Sequence, residues 1–195
     1  MDLKKYFKII ALKYQKILKD NLLFWNLWNT NYLFEFLDNY KEEYPEYYNM
    51  FTEINTICWK FNDSHKISVK ELYITLDKYY PFIDDNTLDD LDDFNLPEVV
   101  IKELTYSFNT IYDGIKSNKR YGDKSSDASI NIISVILESN KLDYDDTNIP
   151  ILKNEIDAQI KLIQDLSKPQ AYTYKDRNIY RDKEAMASIK FNENY

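Results

Sequence analysis

An all-α fold is predicted for this 195-residue chain: a single compact bundle of about seven helices with a C-terminal arm. Three observations predict it. The chain has two Gly and five Pro, too few for the tight positive-φ turns that sheet-rich folds use. It is 44% hydrophobic and 16% aromatic, and a chain of this size buries about 70% of its unfolded surface, so no disulfide or metal staple is needed. Its apolar residues recur at helical spacing along most of its length. We expect one helical domain over residues 1–166 and an arm over 167–195 that packs on the domain or is partly flexible.

The first helix covers about residues 3–19, with Leu3, Phe7, Ile10, Ala11, Tyr14, Ile17 and Leu18 as its apolar stripe. The second covers about 22–40 and carries Trp25, Tyr32, Leu33, Phe36, Leu37 and Tyr40. Pro45 suits the first turn of a third helix, where a missing N–H costs nothing. The stripe of that helix is Tyr48, Phe51, Ile54, Cys58 and Phe61. "SVKE" reads as a capping box, with Ser68 at the cap and Glu71 three positions on. The fourth helix follows to about Tyr80, where Pro81 stops it.

Pro97 starts a fifth helix that buries Val100, Ile101, Leu104, Phe108, Ile111, Tyr112 and Ile115. A polar loop over 116–127 leads to a sixth helix at about 126–139. An acidic connector over 141–148 precedes Pro150, which opens a seventh helix through Leu166. The last 29 residues lose clean periodicity, with a short helix expected near 181–190.

One cysteine, Cys58, excludes an internal disulfide and fits a reducing compartment. The first twenty residues lack an uninterrupted apolar run of secretory type. No stretch approaches the ~20 apolar residues that span a bilayer. These features predict a cytoplasmic protein without a membrane partner.

The net charge of −8 is concentrated. Residues 71–100 hold nine Asp and Glu against one Lys, which leaves 24 acidic and 24 basic residues elsewhere. Within that segment, "FIDDNTLDDLDDFNLPE" (82–98) has seven carboxylates and no basic residue. Calcium is the first chemistry to test. An EF-hand loop needs oxygen ligands at positions 1, 3 and 5, Gly at 6 and Glu at 12. Registers starting at Asp84, Asp85 and Asp90 all fail this pattern.

Zinc lacks ligands, because His65 and Cys58 are the only strong nitrogen and sulfur donors. As a nucleophile and base they are poorly matched: Cys58 lies on an apolar stripe and His65 in the polar "NDSH" turn. No phosphate loop, GxGxxG or GxSxG motif occurs. Catalytic carboxylate pairs need one acid in an apolar pocket, whereas six Asp within 84–93 form a solvated run. The chain is therefore expected to be non-enzymatic, without catalytic residues, metal or cofactor.

Nucleic acid is a poor partner for such a surface, since phosphate contacts require clustered Lys and Arg. The basic residues of the first helix lie largely opposite its apolar stripe and read as a solvated face. Clustered carboxylates beside aromatics fit a basic protein partner instead. The candidate contact residues are Asp84, Asp85, Asp89, Asp90, Asp92, Asp93 and Glu98, with Tyr79, Tyr80 and Phe94 as apolar anchors. The same Asp run also serves, without any partner, to solvate a connector and complement the dipole of the next helix.

Three stretches, "EYPEYYNMF" (43–51), "PFIDDNTLDDLDDFNLPEVVIKEL" (81–104) and "NEIDAQIKLIQDL" (154–166), occur in an order that resembles the bacterial YjaG-like family, domain of unknown function 416. That resemblance implies a compact helical domain and no activity, cofactor or catalytic residue. The region between Phe51 and Trp59 is shorter than the family pattern, and the Asp run is longer. In size, charge and architecture the chain also looks like the acidic helical immunity proteins of contact-dependent growth inhibition systems. These neutralise toxin domains, often basic nucleases. The expected function is a protein-binding domain, an immunity protein neutralising a basic toxin nuclease. The alternative is a YjaG-like regulatory or signalling adaptor of unknown partner.

Overall fold

The structure is a computed structural model that describes residues 3–64, 67–83, 91, 95–117, 132–137 and 149–181. It is an all-α bundle, with seven α-helices and no strand among the described residues. They are α1 (Leu3–Tyr14), α2 (Leu22–Leu37), α3 (Pro45–Ser64), α4 (Val69–Ile83), α5 (Leu96–Lys116), α6 (132–137) and α7 (Pro150–Leu166). Short 3-10 turns cover Lys19–Asn21, Asp38–Tyr40 and Tyr174–Asp176.

α2 is the axis of the bundle. Fourteen of its sixteen residues are buried, so it is enclosed on all sides rather than striped. It packs against α3, α5 and α7, while α4 closes over α3 and α5, and α1 lies on α7. All-round burial draws polar residues of α2 inside, and the helix itself satisfies several of them. Asn29 Nδ2 donates to the Trp25 carbonyl at 2.9 Å, and Thr30 Oγ1 donates to the Asn26 carbonyl at 2.8 Å. Such bonds remove most of the penalty of burying a polar group.

α1 ends at Tyr14, five residues before the expected boundary. Here tertiary contact overrides periodicity. The Leu18 N–H leaves the helix pattern to reach the Leu166 carbonyl at 3.0 Å, and Asn21 Nδ2 reaches the same carbonyl at 3.0 Å. The α1–α2 connection thus satisfies an end carbonyl of α7 that no helical N–H can meet. The buried face of α1 is Leu3, Tyr6, Ile10 and Tyr14, with Ala11 exposed. Tyr6 is buried because its hydroxyl donates to Gln159 Oε1 of α7.

α4 runs through Pro81 to Ile83 instead of stopping at Tyr80. A proline there removes one hydrogen bond in the final turn, where the break is least disruptive. The Ser68–Glu71 capping box forms as expected: the Ser68 N–H meets Glu71 Oε2 at 2.7 Å, and the Glu71 N–H meets Ser68 Oγ at 3.2 Å. Pro97 and Pro150 sit in the first turns of α5 and α7. All seven expected core residues of α5 are buried. The expected sixth helix is helical over 132–137, and the loop over 118–127, the connector over 141–148 and residues 182–195 lie outside the described residues.

Residues 167–181 lie along the bundle. Trp28 Nε1 donates to the Ile179 carbonyl at 3.1 Å, and Asn178 Nδ2 to Glu35 Oε1 at 3.0 Å. Tyr180 turns the chain with φ of 69°, a left-handed value uncommon for a side chain of this size. Directly after it, Arg181 enters the core.

Candidate functional site

The expected contact residues divide into two groups. Asp84, Asp85, Asp89, Asp90, Asp92, Asp93 and Phe94 lie outside the described residues. Tyr79, Tyr80 and Glu98 are described, and they do not converge on one site.

Tyr80 faces α5, stacked on Tyr112 with ring centroids 4.7 Å apart. Glu98 is half-buried and engaged within the fold: Tyr44 Oη donates to its Oε1 at 2.9 Å, and Asn95 Nδ2 donates at 3.2 Å. Burial and the Glu98 carboxylate push the Tyr44 hydroxyl up to about 12. Tyr79 faces the other way, toward α3. Its hydroxyl donates to Glu53 Oε2, and Lys78 Nζ reaches Glu53 Oε1 at 3.2 Å. These two hydrogen bonds, the tyrosine's first, hold the Glu53 carboxyl below its ordinary range. Both partners in the Lys78–Glu53 pair are more than half exposed, so it orients more than it stabilises.

Tyr79 therefore belongs to a groove between α3 and α4, with a cavity volume of about 420 Å³. Tyr47, Met50, Tyr79 and Phe82 give it an apolar bed, and Glu46 and Glu53 give it an acidic rim. Phe82 is 59% exposed, unusual for a phenylalanine and the last side chain described before the Asp run. Helix geometry builds the rim. Glu46, Asn49 and Glu53 fall at i, i+3 and i+7, which places them on one face of α3. That spacing is present in the sequence, but it marks no site until α4 packs beside it.

One further contact holds Leu91, the described residue within the Asp run. Lys102 Nζ of α5 donates to the Leu91 carbonyl at 2.7 Å, and the Leu91 side chain packs against the core. Leu91 is thus anchored between Asp90 and Asp92 in sequence. Among the described residues no group of three or more His, Cys, Asp and Glu stands where it could hold a metal ion. No helix among them is long and apolar enough to cross a membrane.

Comparison of this chain with protein-family models, curated proteins and solved structures finds no match.

Proposed function

We propose that this chain is a non-enzymatic protein-binding domain that receives a basic partner at the α3/α4 groove and the acidic segment beyond it. In its most concrete form it is an immunity protein neutralising a basic toxin nuclease. One observation carries the reading: Phe82, exposed on an acid-rimmed aromatic groove, stands in sequence two residues before a run of six Asp within ten positions. Carboxylates there compete with a nucleic-acid backbone for the partner's cations and accelerate its approach. Tyr79 and Phe82 supply desolvated contact area, the kind that dominates interface energetics.

The test uses a nuclease domain encoded beside this chain. Expected outcomes are a one-to-one complex, loss of nuclease activity within it, and an affinity that falls steeply with salt. Neutralising Asp89, Asp90, Asp92 and Asp93 together should slow association, and Phe82→Ala should speed dissociation. Unchanged affinity and salt dependence in both variants would remove the proposed face.

A further inference from the structure

A second groove lies on another face of α3, bounded by Phe34 of α2 and Tyr174 of the segment after α7, with a cavity volume of about 470 Å³. Two of its lining residues, Asn55 and Trp59, are 7% and 4% exposed. Among the described residues neither Asn55 Oδ1 nor Trp59 Nε1 meets a hydrogen-bonding partner. A buried polar atom left unmatched costs about 1–3 kcal/mol, so two on one groove single it out from the rest of the surface. Asn55 and Trp59 are four positions apart, hence neighbours on the helix, with roughly 5–6 Å between their Cβ atoms. Asn55 Oδ1 is an acceptor and the Trp59 indole N–H a donor, and both lie closed to solvent.

We propose that this groove binds a small, flat, uncharged molecule through a ring-lactam edge, with its N–H on Asn55 Oδ1 and its C=O on the Trp59 indole N–H. An amide edge is neutral and sets an N–H and a C=O side by side, one for each atom. Flatness follows from the aromatic lining, which includes Phe34, Trp59 and Tyr174. Neutrality follows from the rim. Lys60 and Asp63 are of opposite sign, and Asp63 already accepts the Tyr174 backbone N–H at 3.0 Å. No cluster of cations is present among the described lining residues to hold a phosphate. The volume falls within the 300–1,000 Å³ usual for small-molecule sites.

Access runs past Tyr174. Its ring stands edge-on to Trp59 with centroids 5.4 Å apart and is 44% exposed, so it is the side chain a ligand has to displace to reach the indole edge. This site is independent of the α3/α4 groove and needs no basic partner.

The experiment is a titration of the full chain with uracil and with hypoxanthine, followed through the indole N–H resonances. Trp59→Phe assigns the Trp59 signal by its disappearance. The expected result is a saturable downfield shift of the Trp59 indole proton, with the Trp25 and Trp28 signals unmoved. Uracil methylated on both ring nitrogens keeps the ring and carbonyls but lacks the N–H, and should bind at least about tenfold more weakly. Asn55→Leu should abolish the shift. Thr56→Arg, at an exposed position of the same wall, should block it without touching the core. Four results would overturn the proposal: no shift with either lactam at millimolar concentration, equal binding of the methylated ring, retained binding in folded Thr56→Arg protein, or tighter binding of an open-chain peptide amide.

Discussion

Arg181 and Glu155 form an ion pair at 2.8 Å with side chains only 1% and 3% exposed. The guanidinium uses its fork: Nε donates to Glu155 Oε2 at 2.9 Å and Nη2 to Glu155 Oε1. Nη1 donates to the Trp28 carbonyl, and the cation lies 3.3 Å from the centre of the Trp28 ring. Glu155 also accepts from Gln159 Nε2 at 2.9 Å, and Gln159 accepts from Tyr6. One chain of contacts thus links α1, α7, α2 and the last described residue. Each charge is tolerable inside only because the other is present.

Removing one partner should therefore be severe. Arg181→Ala strands a buried carboxylate and should lower unfolding stability by about 3–5 kcal/mol, read by urea denaturation. Replacing both residues with Met should lie closer to the native protein than either single change does. A loss below about 1 kcal/mol for Arg181→Ala would show that the pair does not hold the arm.

The α3–α5 seam gives a second expectation. Phe51 and Phe108 are fully buried and stacked with centroids 5.7 Å apart and planes inclined by 21°. Phe108→Ala opens a cavity at that seam and should cost about 3–5 kcal/mol. Phe108→Leu, which keeps more of the volume, should cost less in the same denaturation experiment.

These two sites differ in how far the sequence revealed them. Phe51 and Phe108 sit on clean helical stripes, and periodicity found both. Arg181 lies in a stretch without periodicity, and its role depends on a left-handed Tyr180 and a carboxylate 26 positions away. A signal was nevertheless present. In a chain whose cations are nearly all Lys, two of three Arg fall within 177–181, and Arg is the residue suited to buried, forked, ring-stacked pairing. Both are paired, Arg177 with Glu35 at 3.8 Å. The α3/α4 groove was half legible. Tyr79 was singled out, whereas Glu46, Glu53 and Phe82 become a site only when two helices lie side by side.

Cys58 tests the seal of the core. It is fully buried, and burial pushes its thiol well above the ordinary value. The thiolate is the reactive species, so both access and ionisation oppose modification. A disulfide reagent at pH 8 should label the folded chain only at the rate of opening, and label it fully in denaturant. Core-loosening variants such as Phe108→Ala should accelerate the native reaction, which tracks the population of open states. Rapid stoichiometric labelling of the native protein would contradict the packing of α3.

Helix α4 carries a pH dependence whose sign follows from its cap. Hydrogen bonds from the Ser68 backbone first, and its hydroxyl second, hold the Glu71 carboxyl below its ordinary value of 4.5. A carboxyl depressed in the folded state adds stability that is complete above its unfolded value. That contribution is lost as pH falls through the lower, folded value. The native chain should therefore exceed Glu71→Gln in stability at neutral pH, with the gap narrowing as pH drops below 4.5. Ser68→Ala removes the reciprocal half of the box and should lower Tm by roughly 2–4 °C. It should also shrink, without erasing, the pH-dependent difference between Glu and Gln at position 71, because the hydroxyl bond is lost while the backbone N–H of residue 68 still donates to the carboxylate. A difference left undiminished in the Ser68→Ala background would show that the hydroxyl adds nothing to the depression and leave it to the backbone N–H and the helix dipole.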